Sequence, residues 1–120
     1  MSKLNASVQP EIFDVFQVSQ LTRGTSLEDS VAVDDVTIRP DQSSKIHRHV
    51  QSDTVLYMVE GKGEIIIDDQ IIPVAIGDRV HIRPGQFHGV RTGGHSLHFI
   101  SIQMPPILNR KTGVLDLEER

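Results

Sequence analysis

The sequence predicts an all-β domain, and three observations carry that expectation. Apolar residues, chiefly Val and Ile, come in runs of about four to eight; clusters of Gly, Pro and Asp separate the runs at roughly 8 to 12 residue intervals; and no long stretch repeats with the period of an amphipathic helix. In chain order the strands fall at 12–18 (IFDVFQV), 31–39 (VAVDDVTIR), 45–50, 54–59 (TVLYMV), 63–67, 71–76, 79–83, 87–92 and 96–103. Between them Pro40-Asp41, Gly61-Lys62-Gly63, Asp68-Asp69, Gly77-Asp78, Pro84-Gly85 and Gly93-Gly94 supply turns, because these residues preset φ or tolerate its positive values. After Pro105-Pro106 the tail ends in VLDLEER, which fits a short helical turn or a frayed end.

A chain of 120 residues is one domain, large enough to bury roughly two-thirds of its unfolded surface. With 38% hydrophobic and 23% charged residues it has the composition of a folded protein and not of a disordered one. The 12 basic and 16 acidic residues are scattered, so no basic stripe tracks phosphates and nucleic acid is not an expected partner. The absence of cysteine excludes disulfides, thiolate nucleophiles, iron–sulfur clusters and zinc–thiolate sites. Any metal must therefore be held by nitrogen and oxygen. No apolar segment has the length of a signal peptide or a membrane span, which points to a cytoplasmic protein with no membrane partner.

In 54–59 both faces are populated, Leu56 and Met58 on one parity and Val55, Tyr57 and Val59 on the other. A single closed sheet would wet one of these faces. The expectation is that an N-terminal strand or a partner chain covers it, which suggests a homodimer.

The stretch HRHVQSDTVLYMVEGKG, residues 47–63, carries the chemistry. Residues i and i+2 of a strand point to the same side about 7 Å apart, so His47 and His49 can converge on one ion while Arg48 points away. Alone, this pattern also describes two hydrogen-bonded surface histidines. A second signal lies in GDRVHIRPGQFHGV, residues 77–90, where His88 opens a strand directly after a Pro-Gly turn. An H-x-H, two further strands and a turn-anchored histidine form the spacing that lets neighbouring strands bring three imidazoles to one point.

These segments resemble the two motifs of the cupins, small barrels of the double-stranded β-helix (jelly-roll) type. The first motif, G-x5-H-x-H-x(3,4)-E-x6-G, is followed from Asp41 to Gly61, and the second, G-x5-P-x-G-x2-H-x3-N, from Gly77 to Thr92. The resemblance implies a jelly-roll cupin barrel over 30–104, an N-terminal strand or arm over 1–29 packing on the barrel or a partner, and a tail over 105–120. It further implies that His47, His49 and His88 are metal ligands. Asp41, Arg83 and Thr92 depart from the motif at turn positions, and Thr54 stands where the metal-binding glutamate is expected. Asp53, next to it, could supply the carboxylate only through a bulge or register shift.

The implied cofactor is one divalent transition metal per chain, Fe, Ni or Zn, since three imidazoles without a carboxylate disfavour Mg, Ca and Mn. Such a centre stays doubly positive and attracts an anionic, bidentate oxygen ligand. By strand parity Leu56, Met58 and Val90, with Thr54, line the pocket, and they suit a small organic substrate better than a polyol. Taken singly, each of them is expected as barrel core before pocket lining. His98, on the parity of Ile100 and Ile102, is a candidate base inside the barrel, or a satisfied core histidine. Arg83 near the mouth is a candidate to meet an anion. The resemblance thus implies a metal-dependent, dioxygenase-like enzyme for a small oxygenated molecule. The alternatives are a cupin isomerase, lyase or decarboxylase, or a non-catalytic module that binds a small ligand or metal.

Overall fold

The computed structural model describes Leu4 and residues 9–120, so residues 1–3 and 5–8 of the expected N-terminal arm lie outside the described residues. The strands are β1 (Glu11–Phe13), β2 (Phe16–Gln20), β3 (Ala32–Ile38), β4 (His47–Arg48), β5 (Asp53–Ile67), β6 (Gln70–Ala75), β7 (Arg79–Ile82), β8 (His88–Arg91), β9 (Leu97–Met104) and β10 (Glu118–Glu119). All pairings are antiparallel, and together they build the jelly roll. One sheet runs β1-β2-β3-β9-β5-β7 and the other β10-β4-β8-β5-β6, so β5 belongs to both. Among the described residues no helix is long and apolar enough to cross a membrane.

The shared strand corrects the expectation of two strands broken at Gly61-Lys62-Gly63. Residues 53–67 form one strand of 15 residues that bends from one sheet into the other, with a register shift between Met58 and Glu60. Gly61 makes the bend: its φ is +81°, and a Cβ there would lie 1.9 Å from the Ser96 carbonyl oxygen. Only glycine allows both the positive φ and this approach. The expected strand 12–18 is instead the hairpin β1–β2, folded at Asp14 with φ of 54°, and the expected 45–50 contracts to His47–Arg48. The tail neither turns into a helix nor frays, because β10 pairs with β4 in the register Glu118↔Arg48 and Glu119↔His47.

Alternation sorts the side chains. Thr54, Leu56 and Met58 of β5 point inward while Asp53, Val55 and Tyr57 point outward. The inner faces enclose one core of Val36, Ile38, Leu56, Met58, Ile65, Ile67, Val74, Val80, Ile82, Val90, Leu97 and Phe99. Two motif departures are explained by the backbone. Asp41 occupies a φ of 60°, a left-handed conformation that aspartate tolerates in place of glycine. The Thr92 hydroxyl accepts from Gln42 N (3.0 Å) and donates to the Arg39 carbonyl (2.6 Å), so it ties that turn where an asparagine is expected.

Candidate metal centre

Three histidines cluster at β4 and β8 of the second sheet. His47 of β4 pairs directly with His88 of β8, which pairs in turn with Ile67 of β5, while His49 follows β4 immediately. One nitrogen from each of His47, His49 and His88 lies within 4.8 Å of the others, and the ring centroids are 4.5 to 5.1 Å apart. The edge of Phe16 packs on His47, with centroids 6.3 Å apart. Gly85 N donates to the His49 carbonyl (2.7 Å), so the Pro-Gly turn ahead of His88 is fastened to the other ligand strand.

Backbone carbonyls orient the rings. His88 Nδ1 donates to the Gln86 carbonyl (2.9 Å) and His49 Nδ1 to the Asp116 carbonyl (2.8 Å), while His47 bonds the backbone at Lys45. A carbonyl oxygen only accepts, so Nδ1 of His49 and His88 carries the proton and Nε2 keeps its lone pair for an ion. Burial disfavours the charged imidazoles and, with repulsion from His49, pushes His47 down to about 4. Burial likewise pushes His88 down to about 4, the Gln86 hydrogen bond opposing and the neighbouring histidines reinforcing the shift. His49 is lowered by burial against the opposing pull of Asp116. At neutral pH the cluster is therefore three uncharged nitrogen donors, the set that fits Fe(II), Ni or Zn.

Thr54 stands on the inner face where the carboxylate of the resembled motif is expected. It is 2% exposed, and its Oγ1 is buried without a hydrogen-bond partner among the described residues. An unpaired buried hydroxyl costs about 1 to 3 kcal/mol, so its presence fits a group kept for a ligand. Leu56, Met58 and Val90 are buried in the core, as parity requires. Arg83 is exposed in the turn before His88, its backbone N bonded to Gln86 Oε1 (2.8 Å).

Two candidate residues stand elsewhere. Asp53 takes the outward parity of β5 and bonds His81 Nε2 through its carboxylate (2.6 Å), so it cannot complete the cluster from that position. His98 also points outward, to the Asp35 carboxylate (2.7 Å), because Leu97, Phe99, Ser101 and Gln103 are the buried set of β9. In HSLHFISI both parities carry apolar residues, so alternation alone could not choose between them. Arg48 points away from the cluster, pairs with Glu118 (2.7 Å) and lies over the Phe87 ring.

Four polar residues escaped the sequence reading. Ser101 and Gln103 are buried, and in the β-ladder Gln103 is paired with Thr54. Asp34 lies between Gln20 and Ser101 on the inner parity of Val36 and Ile38, which was the available signal. Burial pushes its carboxyl up to about 6, partly opposed by Arg110, whose side chain reaches Gln20 Oε1 (2.7 Å). Asp116 has no neighbour in sequence that marks it: its carboxylate accepts N–H bonds from Val50 (2.7 Å), Gln51 (2.9 Å) and Ser52 (3.0 Å). Burial alone would raise its carboxyl, but these bonds and His49 hold it below the ordinary range.

Comparison with known proteins agrees with the fold. Residues 34–102 match the profile of the Cupin domain family. An uncharacterized protein of Methanocaldococcus jannaschii is 28% identical over 72 residues, a match that covers 59% of this chain and 58% of the relative, under two thirds of its length. The nucleoside dehydratase Pac13 of Streptomyces superposes with a TM-score of 0.75 at 16% identity, over 99% of this chain and 92% of that one. The polyketide cyclase RemF of Streptomyces resistomycificus does so with a TM-score of 0.73 at 22% identity, over 87% and 80% of the two chains. At such identities the likeness concerns the fold, and the family rests on the profile match over more than half of the chain. The chain belongs to the cupin family.

Proposed function

We propose that this cupin is a metal-dependent enzyme that acts on a small, oxygenated, anionic or enolisable organic molecule. One observation carries the reading: three imidazoles converge within reach of one ion, held neutral by burial, with Nε2 of His49 and His88 freed by backbone bonds at Nδ1. When bound there, a divalent Fe, Ni or Zn supplies Lewis acidity, and iron also supplies access to dioxygen. The protein's own part is to hold and orient. His47, His49 and His88 fix the ion, and their neutrality leaves its full positive charge for an anionic oxygen ligand. Leu56, Met58 and Val90 exclude water, and the Thr54 hydroxyl offers a hydrogen bond to a substrate oxygen. With iron, this supports a dioxygenase-like reaction.

A second reading is an isomerase, lyase or decarboxylase, in which no oxygen is consumed. The dehydratase and cyclase activities of the two fold neighbours support that such chemistry suits this barrel. Protein loaded with Fe(II) is to be challenged with β-diketones, catecholates, thiols and enolisable acids, with oxygen uptake and product followed together. Oxygen consumption coupled to product supports the dioxygenase, and product without oxygen uptake supports proton transfer. No product from any class with fully loaded protein leaves a ligand-binding module.

We also propose that the chain forms a homodimer. Val55, Tyr57, Ile102 and Met104 stand exposed on the outer face of the first sheet, with Val55 and Ile102 paired across strands. This stripe supports a homodimer.

A further inference from the structure

We infer that Asp116 is a positioning residue for the metal centre: through its carbonyl and its carboxylate, the C-terminal strap sets the tautomer and the aim of His49. The inference rests on the metal-centre reading and extends it to a segment outside the matched family region, which ends at residue 102.

The strap is fixed at both ends and in the middle. Ser52 Oγ donates to the Pro105 carbonyl (2.8 Å) where the tail leaves β9. Beyond Asp116, β10 pairs with β4, Glu118 bonds Arg48, Arg120 N donates to the Ile46 carbonyl (3.0 Å), and the Arg120 side chain reaches Asp69 (2.8 Å). Asp116 stands between these anchors and contacts the His49 segment twice. Its carbonyl accepts from His49 Nδ1, which forces the proton onto that nitrogen. Its carboxylate accepts three successive N–H groups, those of Val50, Gln51 and Ser52, and so fixes the backbone directly after His49.

The two contacts act in the same sense. Without the carboxylate the 50–52 backbone has three unpaired donors and the strap loses its hold, so the carbonyl drifts from Nδ1 and His49 can take either tautomer. The Nε2–H tautomer presents no lone pair at the position that faces His47 and His88. His88 is held separately by Gln86, and His47 at Lys45, so the effect is confined to one of three donors. Loss of such outer support lowers metal affinity by about 10- to 100-fold.

The test uses the full chain with Asp116→Ala, Asp116→Glu and Glu118→Gln. Zn(II) and Ni(II) affinity is read by competition with a chelator, and the tautomers of His49 and His88 by long-range proton–nitrogen NMR of metal-free protein. Asp116→Ala is expected to weaken metal binding at least tenfold and to move His49, not His88, toward a mixture of tautomers. Asp116→Glu, which keeps the carboxylate, restores part of both. Glu118→Gln removes one anchor of the same strap while β10 stays paired with β4, and shifts affinity and tautomer less than Asp116→Ala does. A folded Asp116→Ala protein with an unaltered His49 tautomer and wild-type affinity overturns the inference. Should the wild-type chain bind no metal, the proposed function falls, while the His49 tautomer still decides whether Asp116 positions the ring.

Discussion

Thr54 is the residue that sets this chain apart from the motif it otherwise follows. Its inward-facing hydroxyl is unpaired among the described residues, so Thr54→Val, which keeps the shape and removes the orphan, is expected to raise metal-free stability by about 1 kcal/mol. A urea titration reads the gain. Turnover of the loaded enzyme is expected to fall in the same variant, since the hydrogen bond to substrate goes with the hydroxyl. Asp34 gives a pH signature. A carboxyl raised from 3.8 to about 6 holds its proton more tightly in the folded chain, so its contribution favours folding at low pH and is lost as pH rises from about 4 through 6. Asp34→Asn keeps a neutral group throughout; its melting temperature should exceed that of the wild type at about pH 7 to 8, with the gap closing below about pH 4. Melting scans of both proteins across that range decide it; a constant gap would contradict the shift.

The sequence made some elements plain and concealed others. Strands with strict alternation, such as Arg79–Ile82, lay within a residue of their expected limits, because a one-residue slip would turn their buried set to solvent. The histidine motifs were legible for the same reason: spacing along a strand fixes facing. The strand β9 misled, since apolar residues occupy both of its faces and parity had no polar side to mark. The bend of β5 was misread as a turn because Gly61 and Gly63 look the same in a sequence whether they reverse a chain or let it pass close to Ser96. A methyl group at Gly61 would meet backbone, not a movable side-chain tip, so Gly61→Ala is expected to cost on the order of 3 kcal/mol or prevent folding. Chemical denaturation, with Gly93→Ala as an open-space control, measures this. The role of the tail was hidden because Asp116 meets residues 64 to 67 positions away in sequence, a contact no local pattern announces.

At the scale of the whole molecule two surfaces matter, the outer apolar stripe and the inner histidine centre. If the stripe joins two chains, Val55→Arg places a charge opposite Ile102 and should give a folded monomer in light scattering where the wild type is a dimer. A monomeric wild type would leave those residues as ordinary exposed strand. The inner centre bears the larger claim, and metal content tests it most directly. Untagged protein purified without chelator is to be analysed by elemental mass spectrometry beside a His47→Ala, His88→Ala double variant of verified fold. The predicted result is close to one equivalent of iron, nickel or zinc per chain, lost in the variant. Wild-type protein that carries no metal, and takes up none when Fe(II), Ni(II) or Zn(II) is added, would contradict the account.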